Sequence, residues 1–301
     1  MAYDERIRLN DGNSIPALGL GTWLIDDADA ARAVEDAVAV GYRHIDTAQA
    51  YGNETGVGTG VRECGVPRSE LFVTTKVAAE HKSYETAAAS IDESLTRLGL
   101  DHVDLLIIHS PQPWAEFRAG DNHYHAENLE AWRAMEDAQA AGRVRSIGLS
   151  NFPIAKFQEI LDVAEIIPAV HQVEAHPRWN QHELKARMSE ATGTEVLVEA
   201  WYPLGHGDKT LLEEPAIAAA AQRTGATPAQ VILAWHLAER NITFPKTLSP
   251  AHMADNLAAL DVELTAAEIA TINGIPQQPY YRIPDEPPAF VLTTNDYSQQ
   301  A

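Results

Sequence analysis

The chain of 301 residues has one cysteine, Cys64, and few basic side chains. A single thiol excludes an intramolecular disulfide and fits a reducing, cytoplasmic setting. Lys and Arg total 22 against 43 Asp and Glu, a formal net charge of -21. So acidic a surface argues against a nucleic-acid groove or an anionic membrane as partner. It also obliges any phosphate-bearing ligand to find a local basic pocket. No apolar run approaches the ~20 residues of a membrane helix. The opening MAYDERIRLN has no apolar core, so no secretory signal is expected. The sequence also lacks a Gly- or Ser-rich linker and a fixed-period repeat.

What is present is 45% apolar, enough for a large core. A chain of this length often makes two domains, but a closed α/β barrel needs roughly 250 residues in one unit. Residues 6–23 read as a hairpin with Asp11-Gly12 at the turn. Strands are predicted over 17–22, 43–47, 71–77, 103–109, 146–150, 169–174, 195–200 and 242–245. Helices are predicted over 29–40, 84–98, 128–141, 154–163, 181–191, 228–239 and 251–260. Gly41, Gly99 and Gly142 follow helical runs, as left-handed caps do. Strands alternating with helices argue for a parallel sheet with helical crossovers. Eight such units fit a closed barrel better than an open sheet. The expected fold is therefore α/β: a single (β/α)8 TIM barrel over 1–301 with an N-terminal hairpin. From Gln277 onward the chain is Pro-rich and irregular.

Asp46, Tyr51, Lys76 and His109 each stand at or just past the end of a β-rich apolar stretch. Parallel strands would bring such tips to one shared site. Singly, each has an ordinary reading: an interfacial tyrosine, a rim carboxylate, a solvated strand-end lysine, a semi-buried histidine. Together they describe a general acid. A phenol of pKa ~10 is a poor donor at neutral pH, and a nearby ammonium lowers that value. The carboxylate holds the lysine, and a neutral histidine hydrogen-bonds an incoming carbonyl oxygen.

Two other patterns invite a function and fail on spacing. Gly56, Gly58 and Gly60 run G-x-G-x-G within a helical pattern that follows a loop rather than a strand, so a close-packed helix is expected and not a dinucleotide loop. Asp121, His123 and His125, with His109, offer a metal-dependent barrel hydrolase as a rival. Their spacing matches no zinc motif, so no metal is expected and the segment reads as a loop at the substrate mouth.

In this order and context the quartet resembles the aldo-keto reductase family. Further motifs carry the resemblance along the chain: GLGTW (19–23), IGLSNF (147–152), HQVEAHP (171–177), WYPLG (201–205) and FPKTLSP (244–250). It implies hydride transfer to a carbonyl carbon with Tyr51 giving the proton, Lys76 lowering its pKa, Asp46 pairing Lys76 and His109 orienting the carbonyl. The hydride must come from a cofactor, since no side chain supplies one. By the same resemblance Thr22, Trp23 and Asp46 form the near wall of the nicotinamide site. Ser150, Asn151 and Gln172 hold its carboxamide, Trp201 stacks on its ring, and Leu204 lies in the same cofactor run. Lys246, Thr247 and Ser249 match the loop for an adenosine 2′-phosphate, with Ser249-Pro250 as a helix start. Asp255 and Asn256 match contacts to the adenine. Trp23, Tyr51, His109, Ser110 and Trp114 are the expected substrate wall, and the tail 277–301 is expected to pack over the barrel mouth.

Departures from the family pattern bear on the cofactor and the pocket. His252 stands where an Arg is usual, and neutral His clamps a 2′-phosphate less well. NADPH is expected because Lys246 is kept, with NADH also usable. Ser110-Pro111 replaces Trp-Pro after His109, which removes an aromatic from the substrate wall. Tyr202 replaces a small Ser, and LGHGDKTLLEEP reads as a flap over the pyrophosphate with Lys209 its only positive charge. The WYPLG run and the modest length look closer to bacterial reductases of the 2,5-diketo-gluconate type than to mammalian aldose reductases. The expected activity is reduction of an aldehyde or ketone, dicarbonyl or sugar-derived carbonyls included, by a monomer. A non-catalytic NADP(H)-binding barrel is the alternative from another class.

Overall fold

Every strand expected from the sequence is present in the computed structural model, which describes residues 6–117 and 123–279. Two strands precede the barrel, β1 (Arg6–Arg8) and β2 (Ser14–Pro16), paired antiparallel with Ile7 opposite Ile15. The hairpin is shorter than 6–23, because the chain turns away after Pro16. Strand β3 (Leu20–Gly21) then enters the main sheet.

Alternation follows as expected: α1 (Asp27–Val40), β4 (His44–Asp46), α2 (Glu54–Glu63), β5 (Phe72–Val77), α3 (Tyr84–Leu98), β6 (Val103–Ile108), α4 (His125–Ala140), β7 (Val144–Ser150), α5 (Ile154–Leu161), β8 (Val170–Glu174), α6 (His182–Thr192) and β9 (Leu197–Trp201). The chain continues through α7 (Lys209–Leu212), α8 (Pro215–Thr224), α9 (Pro228–Ala238), β10 (Ile242–Thr243), α10 (Pro250–Leu257) and α11 (Ala266–Asn273). Strands β3 to β10 form one eight-stranded sheet in chain order, all neighbours parallel. A parallel bridge between Leu18 and Thr243 joins first to last and closes a (β/α)8 barrel.

Local chemistry accounts for the helix ends. Ser83 with Thr86, Thr227 with Gln230, and Thr265 with Glu268 form reciprocal capping boxes at the starts of α3, α9 and α11. Gly99 ends α3 in the left-handed region at φ 62°. Helices α2, α7, α8 and α11 fall outside the predicted ranges. In α2 three glycines depress helix propensity, yet tertiary packing requires them. A Cβ on Gly56, Gly58 or Gly60 would overlap Asp27, Leu98 or Ala31 of the flanking helices α1 and α3. The glycine run is therefore a close helix contact, not a phosphate cradle.

The core has two main layers. Between sheet and helices lie residues such as Val34, Ile45, Val73, Leu106, Trp132 and Phe157. Inside the barrel Phe72, Leu105, Ile107, Val170, Leu197 and Ile242 pack with Ile7, Leu9 and Ile15 of the hairpin. Asn10 also donates to Pro168 O at 2.9 Å, just before β8, and Asn13 to Arg145 O at 3.1 Å, at the start of β7. The hairpin thus plugs the N-terminal end of the barrel. Polar groups are left to the opposite end, where the strands finish.

Candidate active site

Three strand tips and one turn bring the expected quartet together. Asp46 ends β4, Lys76 is the penultimate residue of β5, His109 follows β6, and Tyr51 sits on a 3-10 turn just after β4. Lys76 is fully buried. Its Nζ donates to Asp46 Oδ1 and Oδ2 at 2.8 Å each, to Thr47 O at 2.7 Å, and to Tyr51 Oη at 3.3 Å. An ammonium's three hydrogens reach Asp46, Thr47 and Tyr51, one of them shared by the two carboxylate oxygens, whereas a neutral amine has only two, so the geometry calls for an ammonium paired with a carboxylate. Burial opposes the lysine's charge, but Asp46 and Tyr51 outweigh it and hold its pKa above the ordinary value. Burial also pushes Asp46 upward, against the pull of Lys76.

The tyrosine departs from expectation in one respect. Lys76 does pull its pKa down, but burial is the larger effect and the net direction is upward. The phenol therefore keeps its proton. Because Lys76 donates to the phenol oxygen, the hydroxyl hydrogen is left to point elsewhere, and the ammonium sits where a phenolate would need it. His109 meets Tyr51 edge-on, ring centroids 5.6 Å apart, and meets Trp114 edge-on at 4.8 Å. Burial, then Lys76, keep its pKa well below the usual imidazole range, so the ring is neutral.

Side chains that the sequence reading passed over hold this arrangement. Gln49 donates to Ser90 O and Ser94 Oγ on α3 and accepts from Ala78 N, which fixes the turn that carries Tyr51. Asn53 donates to Thr22 O and Ile25 O at 2.9 Å and accepts from Thr47 Oγ1, tying the Trp23 loop to the same turn. Both lie within the DTAQAYGNE run, and their polar type at a buried turn was the available signal. Thr22 also donates to Asp46 O through both its amide and its hydroxyl.

A second group of expected residues adjoins the first. Asn151, at φ 63°, donates to His109 O at 2.9 Å and to Ser150 Oγ at 3.0 Å. Trp201 Nε1 donates to Asn151 Oδ1 at 3.0 Å. Gln172 Nε2 donates to Asp46 Oδ1 at 3.0 Å. Trp23, Tyr202 and His206 form an aromatic cluster, with Tyr202 5.7 Å from Trp23 and 4.6 Å from His206, and Tyr202 edge-on to Trp201 at 5.0 Å. Burial, then the charge of Lys246, lower the His206 pKa. Leu204 lies within the LGHGDKTLLEEP run, half-buried against the core.

The loop after β10 is more exposed. Lys246 and His252 stand in solvent. Thr247 Oγ1 accepts from Ser249 N at 3.1 Å, and Ser249 caps α10 by accepting from His252 N. Asp255 is exposed on α10, whereas Asn256 is buried and hydrogen-bonds Tyr42. Ser110 is fully buried. Lys82 Nζ donates to its carbonyl at 2.8 Å and to Asn128 Oδ1 at 2.7 Å, which pins the segment after His109. In the rival metal group, Asp121 lies outside the described residues, His123 is exposed, and His125 bonds Glu159 on α5 at 2.9 Å, away from His109. Among the described residues no cluster of three or more His, Cys, Asp or Glu could hold a metal.

Fold and site together define a barrel enzyme with its ionisable groups at the C-terminal ends of parallel strands, where barrel enzymes carry their chemistry. The aldo/keto reductase family profile matches residues 17–276. The chain is 42% identical over 270 residues to an aldo-keto reductase of Mycolicibacterium smegmatis, covering 89% of this chain and 92% of that one. It is 37% identical over 278 residues to the methylglyoxal reductase DkgA of Escherichia coli, covering 92% and 95%. The crystal structure of an aldo/keto reductase from Brucella melitensis superposes with a TM-score of 0.81 at 37% identity, covering 90% and 99%. The chain belongs to the aldo/keto reductase family, oxidoreductases that act on carbonyl groups with nicotinamide cofactors.

Proposed function

We propose that this protein reduces an aldehyde or ketone to an alcohol with NADPH, Tyr51 giving the proton to the carbonyl oxygen. Small dicarbonyls and sugar-derived carbonyls are the favoured substrate class. The observation that carries the reading is the Lys76 ammonium, bound to both oxygens of Asp46 and donating to the Tyr51 oxygen at 3.3 Å.

The donor set fits a nicotinamide nucleotide. Ser150, Asn151 and Gln172 offer hydroxyl and amide groups around Trp201, and Lys246 with the α10 start offers a cationic, N–H-rich cradle for phosphate. When bound, the reduced cofactor supplies the hydride that no side chain can. The rest falls to the chain. Tyr51 holds a proton at its hydroxyl and releases it as negative charge grows on the substrate oxygen. Lys76 stabilises the resulting phenolate, and Asp46 fixes Lys76 in place. His109, neutral, donates to the same oxygen and sets the carbonyl's direction. Trp23, Trp114 and the His109 ring exclude water, and Ser110 supports that wall from beneath through its pinned backbone.

Lys246, Thr247 and Ser249 favour a 2′-phosphate, and His252 leaves NADH usable. The lone cysteine, half-buried at the end of α2, suits a reducing compartment. The test is oxidation of NADPH and NADH, followed by absorbance, with a generic aromatic aldehyde and with methylglyoxal. Turnover with NADPH favoured supports the reading. Bound cofactor with no reduction of any carbonyl would make the protein a non-catalytic cofactor-binding barrel.

A further inference from the structure

Glu199 is a carboxyl group without a part in the roles above. It lies on β9, fully buried, opposite Gln172 on β8 and Ile242 on β10. Gln172 Nε2 donates to Glu199 Oε2 at 3.0 Å and to Asp46 Oδ1 at 3.0 Å. Both amide hydrogens are thereby used, and one amide bridges two carboxyl groups that would otherwise repel. The second oxygen, Glu199 Oε1, is buried and meets no protein partner among the described residues.

The charged groups that face Glu199 are Asp46 on β4 and Lys76 on β5, and Tyr51 on the turn after β4 feels Glu199 in return. One cation thus serves two carboxyl groups and is already committed to Asp46 by two hydrogen bonds. With Glu199 protonated the cluster is neutral. With it ionised an uncompensated negative charge sits beside the phenol, and it raises the pKa of Tyr51. Burial, then the charge of Asp46, push the Glu199 carboxyl up to about 8, against the pulls of Gln172 and Lys76. Its neutral form is therefore the resident one at neutral pH.

We propose that Glu199 is a positioning residue of this site: through Gln172 it sets the charge balance around Asp46, Lys76 and Tyr51, and so the alkaline limit of proton donation by Tyr51. Gln172 is the mechanical link as well as the electrical one. Both its hydrogens point at carboxyl groups, so its carbonyl oxygen is the atom left to accept from a ligand's amide. Loss of the Glu199 proton tightens one of the two bonds that hold that orientation. The proposal rests on the reading of Tyr51 as proton donor.

The test compares wild type, Glu199→Gln and Tyr51→Phe from about pH 6 to about pH 10, two units either side of the Glu199 value of about 8. Wild-type carbonyl reduction is expected to fall through about pH 8, and the fall in Glu199→Gln to lie at higher pH. Ionised Glu199 makes Tyr51 the weaker acid, so the ratio of variant to wild-type rate then rises across the range, by up to about tenfold. A purely structural role would change the height of the profile and leave its alkaline limb in place, which would overturn the proposal. Infrared difference spectra of the cofactor-free proteins give an independent readout. A carboxylic-acid C=O band lost through about pH 8 in wild type and in Tyr51→Phe, and absent from Glu199→Gln, supports it. Identical spectra in wild type and Glu199→Gln overturn it. If wild type turns over, Tyr51→Phe does not, and the Glu199→Gln profile coincides with wild type, the proposal fails and the reductase reading stands. If wild type reduces no carbonyl, the reductase reading fails and this proposal fails with it.

Discussion

At the strand tips, Lys76 is buried with four acceptors around one ammonium, whereas past β10 Lys246 in the loop and His252 on α10 stand in solvent and the nearby bonds are the turn's own. The two ends of the cleft therefore respond to change on different scales. A charge held in a low-dielectric interior is strongly coupled to its partners. A charge on the surface is screened by water and salt and is coupled weakly. Substitutions at the first end should break the protein's chemistry or its fold, and substitutions at the second should only tune it.

The largest effect is expected at Lys76. Lys76→Met removes the cation and leaves Asp46 buried against Gln172 and Thr22 without its partner. Breaking a buried pair in this way costs about 3–5 kcal/mol of stability. Urea unfolding measures it, and a loss below ~1 kcal/mol would mean that Asp46 is relieved by water rather than by Lys76. Turnover should fall as well, because the phenolate of Tyr51 loses its counter-charge. Tyr51→Phe comes next. It leaves the ion pair intact and removes only the donor hydroxyl. Reduction should drop ~10²–10⁴-fold, while cofactor binding followed by Trp fluorescence changes little. Comparable turnover in the variant would remove Tyr51 as the acid.

Much of this was legible because strand tips announce themselves. Asp46, Lys76 and His109 each end an apolar run, and a parallel barrel has only one place for such tips to meet. The order of eight strands was legible for the same reason. Elements set by tertiary packing were harder. Helix α2 carries three glycines that only the closeness of α1 and α3 explains, and the Ala-rich α8 presents just Ile217, Ala220 and Ala221 to the core. The side chains that hold the quartet in place were hidden for a related reason: Gln49, Asn53 and Glu199 matter through partners distant in sequence. The direction of the Tyr51 shift was misjudged because a neighbouring lysine can be read from the chain, whereas the depth of burial cannot. Ser110, read as part of the substrate wall, turns out to be fully buried, held from behind by Lys82.

Between the two extremes lies Trp114, in the proposed outer substrate wall. Trp114 packs edge-on against His109 at 4.8 Å and against Phe117 at 5.0 Å, yet it is partly exposed. Trp114→Ala removes apolar surface that an aromatic substrate would cover, so KM for an aromatic aldehyde should rise roughly tenfold, with a smaller change for a three-carbon dicarbonyl. Equal changes for both substrates would mean that Trp114 acts by holding His109, and kcat would then fall instead.

The smallest effect belongs to His252. It is exposed on the first turn of α10, three residues past Ser249, whose hydroxyl caps that helix. A 2′-phosphate held at this helix start would meet the N–H groups of the first turn and the ammonium of Lys246. A neutral imidazole adds little to either. His252→Arg supplies a guanidinium suited to bidentate contact with phosphate. Because the position is exposed, the gain is limited to about 1 kcal/mol, roughly fivefold tighter NADPH. The gain should fade as salt is raised, and NADH should not share it. Fluorescence titrations with both nucleotides at two ionic strengths decide the matter. A salt-dependent gain for NADPH alone places residue 252 beside the 2′-phosphate. An equal, salt-insensitive gain for both nucleotides would mean that the new side chain stacks on the adenine, and the 2′-phosphate selectivity of this end would then rest on Lys246 and the α10 start alone.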